Sequence, residues 1–147
     1  MKIAIGSDHA GFKLKEFLKI FLGKKGHQVK DFGTFSPDSC DYPEFASKVA
    51  HAVAGGKCEK GILICFSGIG QSIVANRFPG VRAALCYNIE CARLSREHND
   101  ANIIIFGAGF INKETACKAL SVWLATEFQG GRHLRRINKI TRIEKRL

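Results

Sequence analysis

The sequence predicts an α/β protein: a five-stranded parallel sheet with helices packed on both faces. Three observations carry this. Short β-rich runs recur along the chain, apolar stripes at helical spacing separate them, and the apolar run Gly61–Cys65 passes through small residues straight into another helical pattern.

The first strand, Ile3–Gly6, follows the start almost at once. Leu14, Phe17, Leu18, Phe21 and Leu22 then repeat at the spacing of one helix face. Val29–Phe32 is the second strand, and Phe45, Val49 and Val53 form the next stripe. Pro43 suits the first position of that helix, where a missing N–H has no partner to lose. Ile62–Cys65 is the third strand, with Ile73 and Val74 in the helix behind it. Ala83–Cys86 is the fourth, followed by a helix marked by Ala92 and Leu94, and Ile103–Phe106 is the fifth. Ala116, Leu120, Trp123 and Leu124 supply a further helix. These stripes read as core. A basic helix over about residues 132–147 closes the chain, with Leu134, Ile137, Ile140 and Ile143 expected to face the body of the protein.

With 147 residues, 46% of them hydrophobic, the chain fits one domain over 1–147 with no linker. No apolar run approaches the roughly 18 residues that cross a bilayer, and the opening residues lack a secretory cleavage pattern. The expectation is a cytoplasmic protein with no membrane partner. Six cysteines lie singly in structured segments, as free thiols in a reducing compartment do. Cys86 and Cys91 lack the spacing and histidine companions of a zinc site, so no metal is expected.

The net charge of +10 suits an acidic partner. The basic terminal helix has neither interleaved aromatics nor a nucleic-acid recognition module, which favours a phosphorylated small molecule over nucleic acid. Arg132 and Arg136 stand four residues apart on one helix face, where two guanidinium groups can grip one phosphate. Gly68 and Gly70 do not belong to a dinucleotide fingerprint, because Ile73 holds the third glycine position, and no Walker lysine follows. NAD and ATP chemistry are therefore not expected.

In a parallel sheet the ligand crevice lies beyond the carboxyl ends of the strands. Cys65 ends the third strand there, and Phe66, Ser67, Gly68, Ile69 and Gly70 turn the chain into a helix. Glycines let main-chain N–H groups point inward, and a helix start adds positive potential, so negative charge developing on a ligand has a cradle. The same field would lower the Cys65 thiol pKa and make it a base or nucleophile. The segment equally fits a buried cysteine beside an ordinary turn. Asp8 and His9 follow the first strand, while His98 and Asn99 precede the fifth, and all are expected on one rim with Cys65 and Ser67. Asp8 also suits a helix cap, His9 a surface position and His98 a structural hydrogen-bond cluster.

The segments Gly6-Ser7-Asp8-His9-Ala10-Gly11-Phe12, Asp41-Tyr42-Pro43, Cys65-Phe66-Ser67-Gly68-Ile69-Gly70, Ala75-Asn76-Arg77, Ser95-Arg96-Glu97-His98-Asn99-Asp100-Ala101-Asn102 and Glu127-Phe128-Gln129-Gly130-Gly131-Arg132-His133 closely resemble the type B ribose-5-phosphate isomerases. That family also includes allose-6-phosphate isomerase and the galactose-6-phosphate isomerase subunits. The resemblance implies a Rossmann-like α/β/α sandwich, a homodimer or dimer of dimers with sites shared between subunits, and no metal or organic cofactor. It implies interconversion of D-ribose 5-phosphate and D-ribulose 5-phosphate through an enediolate, with a six-carbon sugar phosphate as the alternative substrate. By the same resemblance Cys65 is the base moving a proton between C1 and C2, Ser67 assists proton movement at the oxygens, and His98 opens the sugar ring. Asp8, His9, Asn99, Arg132, Arg136 and the loop from Phe66 to Gly70 would bind substrate.

Two positions depart from the family pattern. Phe66 stands where glycine is common, and either narrows the pocket or points into the core. Gly109 stands where an arginine is common, which leaves Arg132 and Arg136 to carry more of the phosphate binding.

Overall fold

Strands β1 (Lys2–Ser7), β2 (Gln28–Asp31), β3 (Lys60–Cys65), β4 (Ala83–Leu85) and β5 (Ile103–Gly107) lie parallel in the order β2-β1-β3-β5-β4 in the computed structural model, which describes residues 1–146. Helices α1 (Phe12–Lys24), α2 (Tyr42–Ala54), α3 (Ile69–Ala75), α4 (Ile89–Asn99), α5 (Lys113–Ala125) and α6 (Arg132–Glu144) connect and follow them. This is the expected fold, and every strand falls within two residues of its expected ends. Phe32 and Cys86 lie just outside β2 and β4, and Pro43 is the second helical residue of α2, after Tyr42. The terminal helix stops short of Leu147, which lies outside the described residues.

Alternation along the strands divides the apolar residues between two cores. Ile3, Ile5, Ile62 and Ile64 face Leu14, Leu18 and Leu22 of α1, Ala92 of α4 and Trp123 of α5. Ala4, Leu63, Ile103 and Ile105 face Val49 and Val53 of α2 and Ala75 of α3. A period of two in the strands, matched against stripes with a period near 3.6 in the helices, puts helices on both sides of one sheet. β1 pairs with β2 on one edge and β3 on the other, so the winding reverses between β1 and β3. A crevice opens at such a reversal, beyond Ser7 and Cys65.

Gly11 makes the close approach of α1 to the sheet possible. A Cβ there would sit 2.4 Å from the carbonyl oxygen of Ile64, and backbone has no rotamer with which to move aside. Gly11→Ala is expected to destabilise the fold by roughly 1–3 kcal/mol, read as a lowered urea midpoint. An unchanged midpoint would mean that β1, β3 and α1 separate freely at this point.

The helix stripes differ from expectation in three places. Phe17 and Ile73 are exposed, and α1 instead buries Lys15, whose surface is 0% accessible. The Lys15 ammonium lies 2.6 Å from Asp31 Oδ2 and 2.7 Å from Glu16 Oε1, with the Phe12 and Phe35 rings each 5.5 Å away. Burial pushes the Asp31 carboxyl up, yet hydrogen bonds from Lys15, Lys19 and the Gly33 amide outweigh it and hold the group below its ordinary value. The third difference is α6. Only His133 and Ile137 are buried, whereas Leu134, Ile140 and Ile143 remain exposed, Ile143 at 57%. The helix is tied at its far end by Glu144, which accepts the Gly80 N–H at 3.2 Å, and its Ile140 and Ile143 line an open cavity with Val81, Ala83 and Ala84. No helix among the described residues is long and apolar enough to cross a membrane.

Candidate active site

β3 ends at Cys65, and α3 starts only four residues later, so the chain must turn sharply. Gly68 makes that turn at φ +82°, a conformation costly for any residue with a Cβ. A Cβ there would also come within 2.3 Å of Leu85 Cδ1. The turn aims the Gly68 N–H at Cys65 Sγ, 3.0 Å away. Ser67 Oγ accepts the Ile69 N–H at 3.2 Å, and the Ser67 carbonyl accepts the Tyr87 hydroxyl at 2.9 Å. Gly70 passes against the Tyr42 ring, 2.5 Å from where a Cβ would be, so a larger residue there would have to push that ring aside.

Asp8 and His9 approach the same crevice from β1. The buried Asp8 carboxylate accepts the Gly11 N–H at 3.0 Å, which makes it a cap of the turn as well as a charge near the thiol. His9 Nδ1 accepts the Cys40 N–H at 3.2 Å, and this bond assigns the ring proton to Nε2. His9 itself is exposed.

The electrostatics of the thiol are opposite to the sequence expectation. Burial pushes the Cys65 thiol above its ordinary value and the Asp8 charge adds to the effect, while the Gly68, Gln71 and Ser67 amides pull down without prevailing. A thiolate formed here is scarcer at neutral pH but a stronger base. Alkylation of Cys65 by iodoacetamide, followed by peptide mass mapping across pH, is expected to show a midpoint above that of a free thiol. Asp8→Asn is expected to lower it, since a like charge is removed. A midpoint below that of a free thiol would restore the expectation drawn from the loop alone.

His98 and Asn99 do not lie on this rim. They form the last turn of α4, which runs antiparallel to the strands and ends where β5 begins. Arg82, immediately before β4, confirms the position, because its guanidinium donates to the Asn99 and Asp100 carbonyls at 3.1 and 3.0 Å. His98 stacks on His133 with ring centroids 4.3 Å apart and planes 12° from parallel. Arg132 and Arg136 flank His133 at the start of α6, and both are exposed. Burial, with His98, Arg132 and Arg136 nearby, pushes the His133 imidazole below its ordinary value. The five residues of β5 separate the two rims by about 16 Å, too far for one small ligand to touch both in a single protomer.

Phe66 does not point into the core. It is 62% exposed and rests on Gly109. Sequence reasoning assigned no role to Tyr42, Tyr87 or His133. Tyr42 and His133 stand inside motifs quoted above, whereas Tyr87 follows β4 in sequence and meets Ser67 only through the fold. All six cysteines are free, and among the described residues no cluster of histidine, cysteine and acidic side chains gathers to hold a metal.

A thiol set against main-chain donors at the winding reversal of a parallel α/β sheet is an arrangement that can exchange a proton with a bound ligand. The Ribose/Galactose Isomerase family matches residues 3–140, and the chain belongs to that family. It is 48% identical over 145 residues to ribose-5-phosphate isomerase B of Escherichia coli, covering 99% of this chain and 97% of that one. A ribose-5-phosphate isomerase B structure from Clostridium thermocellum superposes with a TM-score of 0.98 at 53% identity, covering 99% of both chains. The Mycoplasma genitalium ribose-5-phosphate isomerase B, solved with bound ribulose-5-phosphate, gives 0.96 at 39% identity, covering 99% of this chain and 97% of that one.

Proposed function

We propose that the chain is an aldose–ketose isomerase that interconverts D-ribose 5-phosphate and D-ribulose 5-phosphate through an enediolate. The observation that carries the reading is the Cys65 thiol, held by the Gly68 N–H at 3.0 Å on the crevice rim, in a chain of the Ribose/Galactose Isomerase family.

The linear aldose has an acidic hydrogen on C2, beside the C1 aldehyde. Cys65 as thiolate takes that proton, the C–H electron pair forms the C1–C2 double bond, and the carbonyl pair moves to O1. Main-chain N–H groups from Ser67 to Gly70 stabilise the charge on oxygen, a donor of this kind being worth roughly 3 kcal/mol in comparable sites. Ser67 relays the O2 hydroxyl proton to O1, and the Cys65 thiol returns its proton to C1, which leaves the ketose. Only protons and electron pairs within the substrate move, so the reaction requires no metal or organic cofactor. Asp8 and His9 orient the hydroxyls beside the thiol, and Phe66 and Ile69 border the same loop.

The active unit is a dimer or a dimer of dimers. Its site draws His98, Asn99, Arg132 and Arg136 from a second copy, with His98 opening the sugar ring and the arginines holding the phosphate. The rim separation supports this, and so does the uncovered apolar face of α6 that a second copy would bury. The domain spans 1–147, its C-terminal helix serving the phosphate site, the dimer or both. The positive charge serves a sugar phosphate rather than nucleic acid, and a reduced catalytic thiol suits the cytoplasm. Ribose 5-phosphate incubated with the protein is expected to yield ribulose 5-phosphate at a rate proportional to enzyme. A panel of five- and six-carbon aldose phosphates with no turnover would overturn the reading.

A further inference from the structure

We propose that Phe66, seated on Gly109 and braced by Phe110 and Tyr87, is the wall that sets the length of sugar phosphate this site accepts; the proposal rests on the isomerase reading above. Three aromatic rings stand together on the crevice rim. Phe66 and Phe110 pack edge to face with centroids 5.8 Å apart, and Tyr87 and Phe110 do so at 5.9 Å. Phe66 and Phe110 are 62% and 63% exposed, so the rings form a surface rather than a core.

That surface is locked to the catalytic loop. The Tyr87 hydroxyl donates to the Ser67 carbonyl at 2.9 Å. The Ala108 and Gly109 N–H groups donate to the Cys65 and Phe66 carbonyls at 2.8 and 2.9 Å. These bonds fix the backbone that carries the three rings relative to Cys65 and Ser67. Gly109 provides the seat, because a Cβ there would come within 2.6 Å of Phe66 Cε2 and push the ring away. Phe66 and Gly109 thus behave as one unit: the large side chain at one position requires none at the other.

A braced ring on the rim next to the Cys65 loop discriminates by volume. The space it fills is denied to an extra hydroxymethylene group, so the wall favours a five-carbon chain over a six-carbon one. One carbon of difference at such a wall changes kcat/KM by roughly 10–200-fold.

The test compares kcat/KM for ribose 5-phosphate and allose 6-phosphate in four proteins: wild type, Phe66→Gly, Gly109→Ala and the double variant. Phe66→Gly is expected to raise the six- to five-carbon ratio by roughly tenfold. Gly109→Ala is expected to change the ratio in the wild-type background and to have no effect in the Phe66→Gly background. Phe66→Leu, which keeps an apolar side chain while removing the ring, is expected to fall between wild type and Phe66→Gly. An active Phe66→Gly enzyme whose ratio stays within twofold of wild type would overturn the proposal. A wild type inactive on both sugars would instead overturn the isomerase reading itself.

Discussion

Cys65→Ala is expected to lower kcat for ribose 5-phosphate by roughly a thousandfold, the scale of losing a positioned general base, while sugar-phosphate binding persists. The side chain loses one sulfur atom and nothing else nearby changes its shape. The Gly68 N–H loses its acceptor, a local cost of about 1 kcal/mol that leaves the fold intact. Alanine offers no atom that can accept a proton from carbon. Two measurements separate this from a binding defect: the dissociation constant for ribose 5-phosphate stays near wild type, and exchange of the C2 hydrogen with deuterated solvent disappears. Undiminished turnover would require a different base, and no other thiol of the chain stands on the Ser67–Gly70 loop.

Mixing two inactive variants is expected to restore activity. One chain carries Cys65→Ala, and the other carries Arg132→Ala with Arg136→Ala. If each site takes its base from one copy and its phosphate grip from the other, a hybrid dimer contains one intact site and one doubly damaged site. Random reassociation makes half of the dimers hybrid, so about a quarter of wild-type activity returns. The geometry leaves little room for a site within one protomer, because Cys65 ends β3 at one rim while Arg132 and Arg136 begin α6 near the other. Each variant alone retains its fold, since the arginines are exposed and Cys65 loses only its sulfur. No recovery after dissociation and mixing, with hybrid dimers shown to form, would place the whole site in one copy.

Much of this protein is legible before folding is considered. Strands such as Ile62–Cys65 and Ile103–Phe106 are continuous apolar runs, and buried parallel strands require that pattern because both of their faces meet helices. The Cys65–Gly70 loop is legible for a similar reason: a strand followed at once by a helix leaves few residues for the turn, and Gly68 at φ +82° is the residue that permits it. Stripes were less informative where a polar side chain could find partners in space. Lys15 interrupts the apolar face of α1 and yet is fully buried, because Asp31 comes from β2 to neutralise it.

The sequence by itself determined the layering, the strand order's parallel sense and the small-residue loop beyond Cys65, since each follows from local periodicity and local backbone freedom. Tertiary structure decided which residues share a rim, the direction of the thiol's pKa and the seat of Phe66. Those depend on distances between segments far apart in the chain. A helix that runs back beneath the sheet carries His98 away from Cys65 however close their motifs look on paper, and burial beside Asp8 outweighs the amides that the loop alone would suggest.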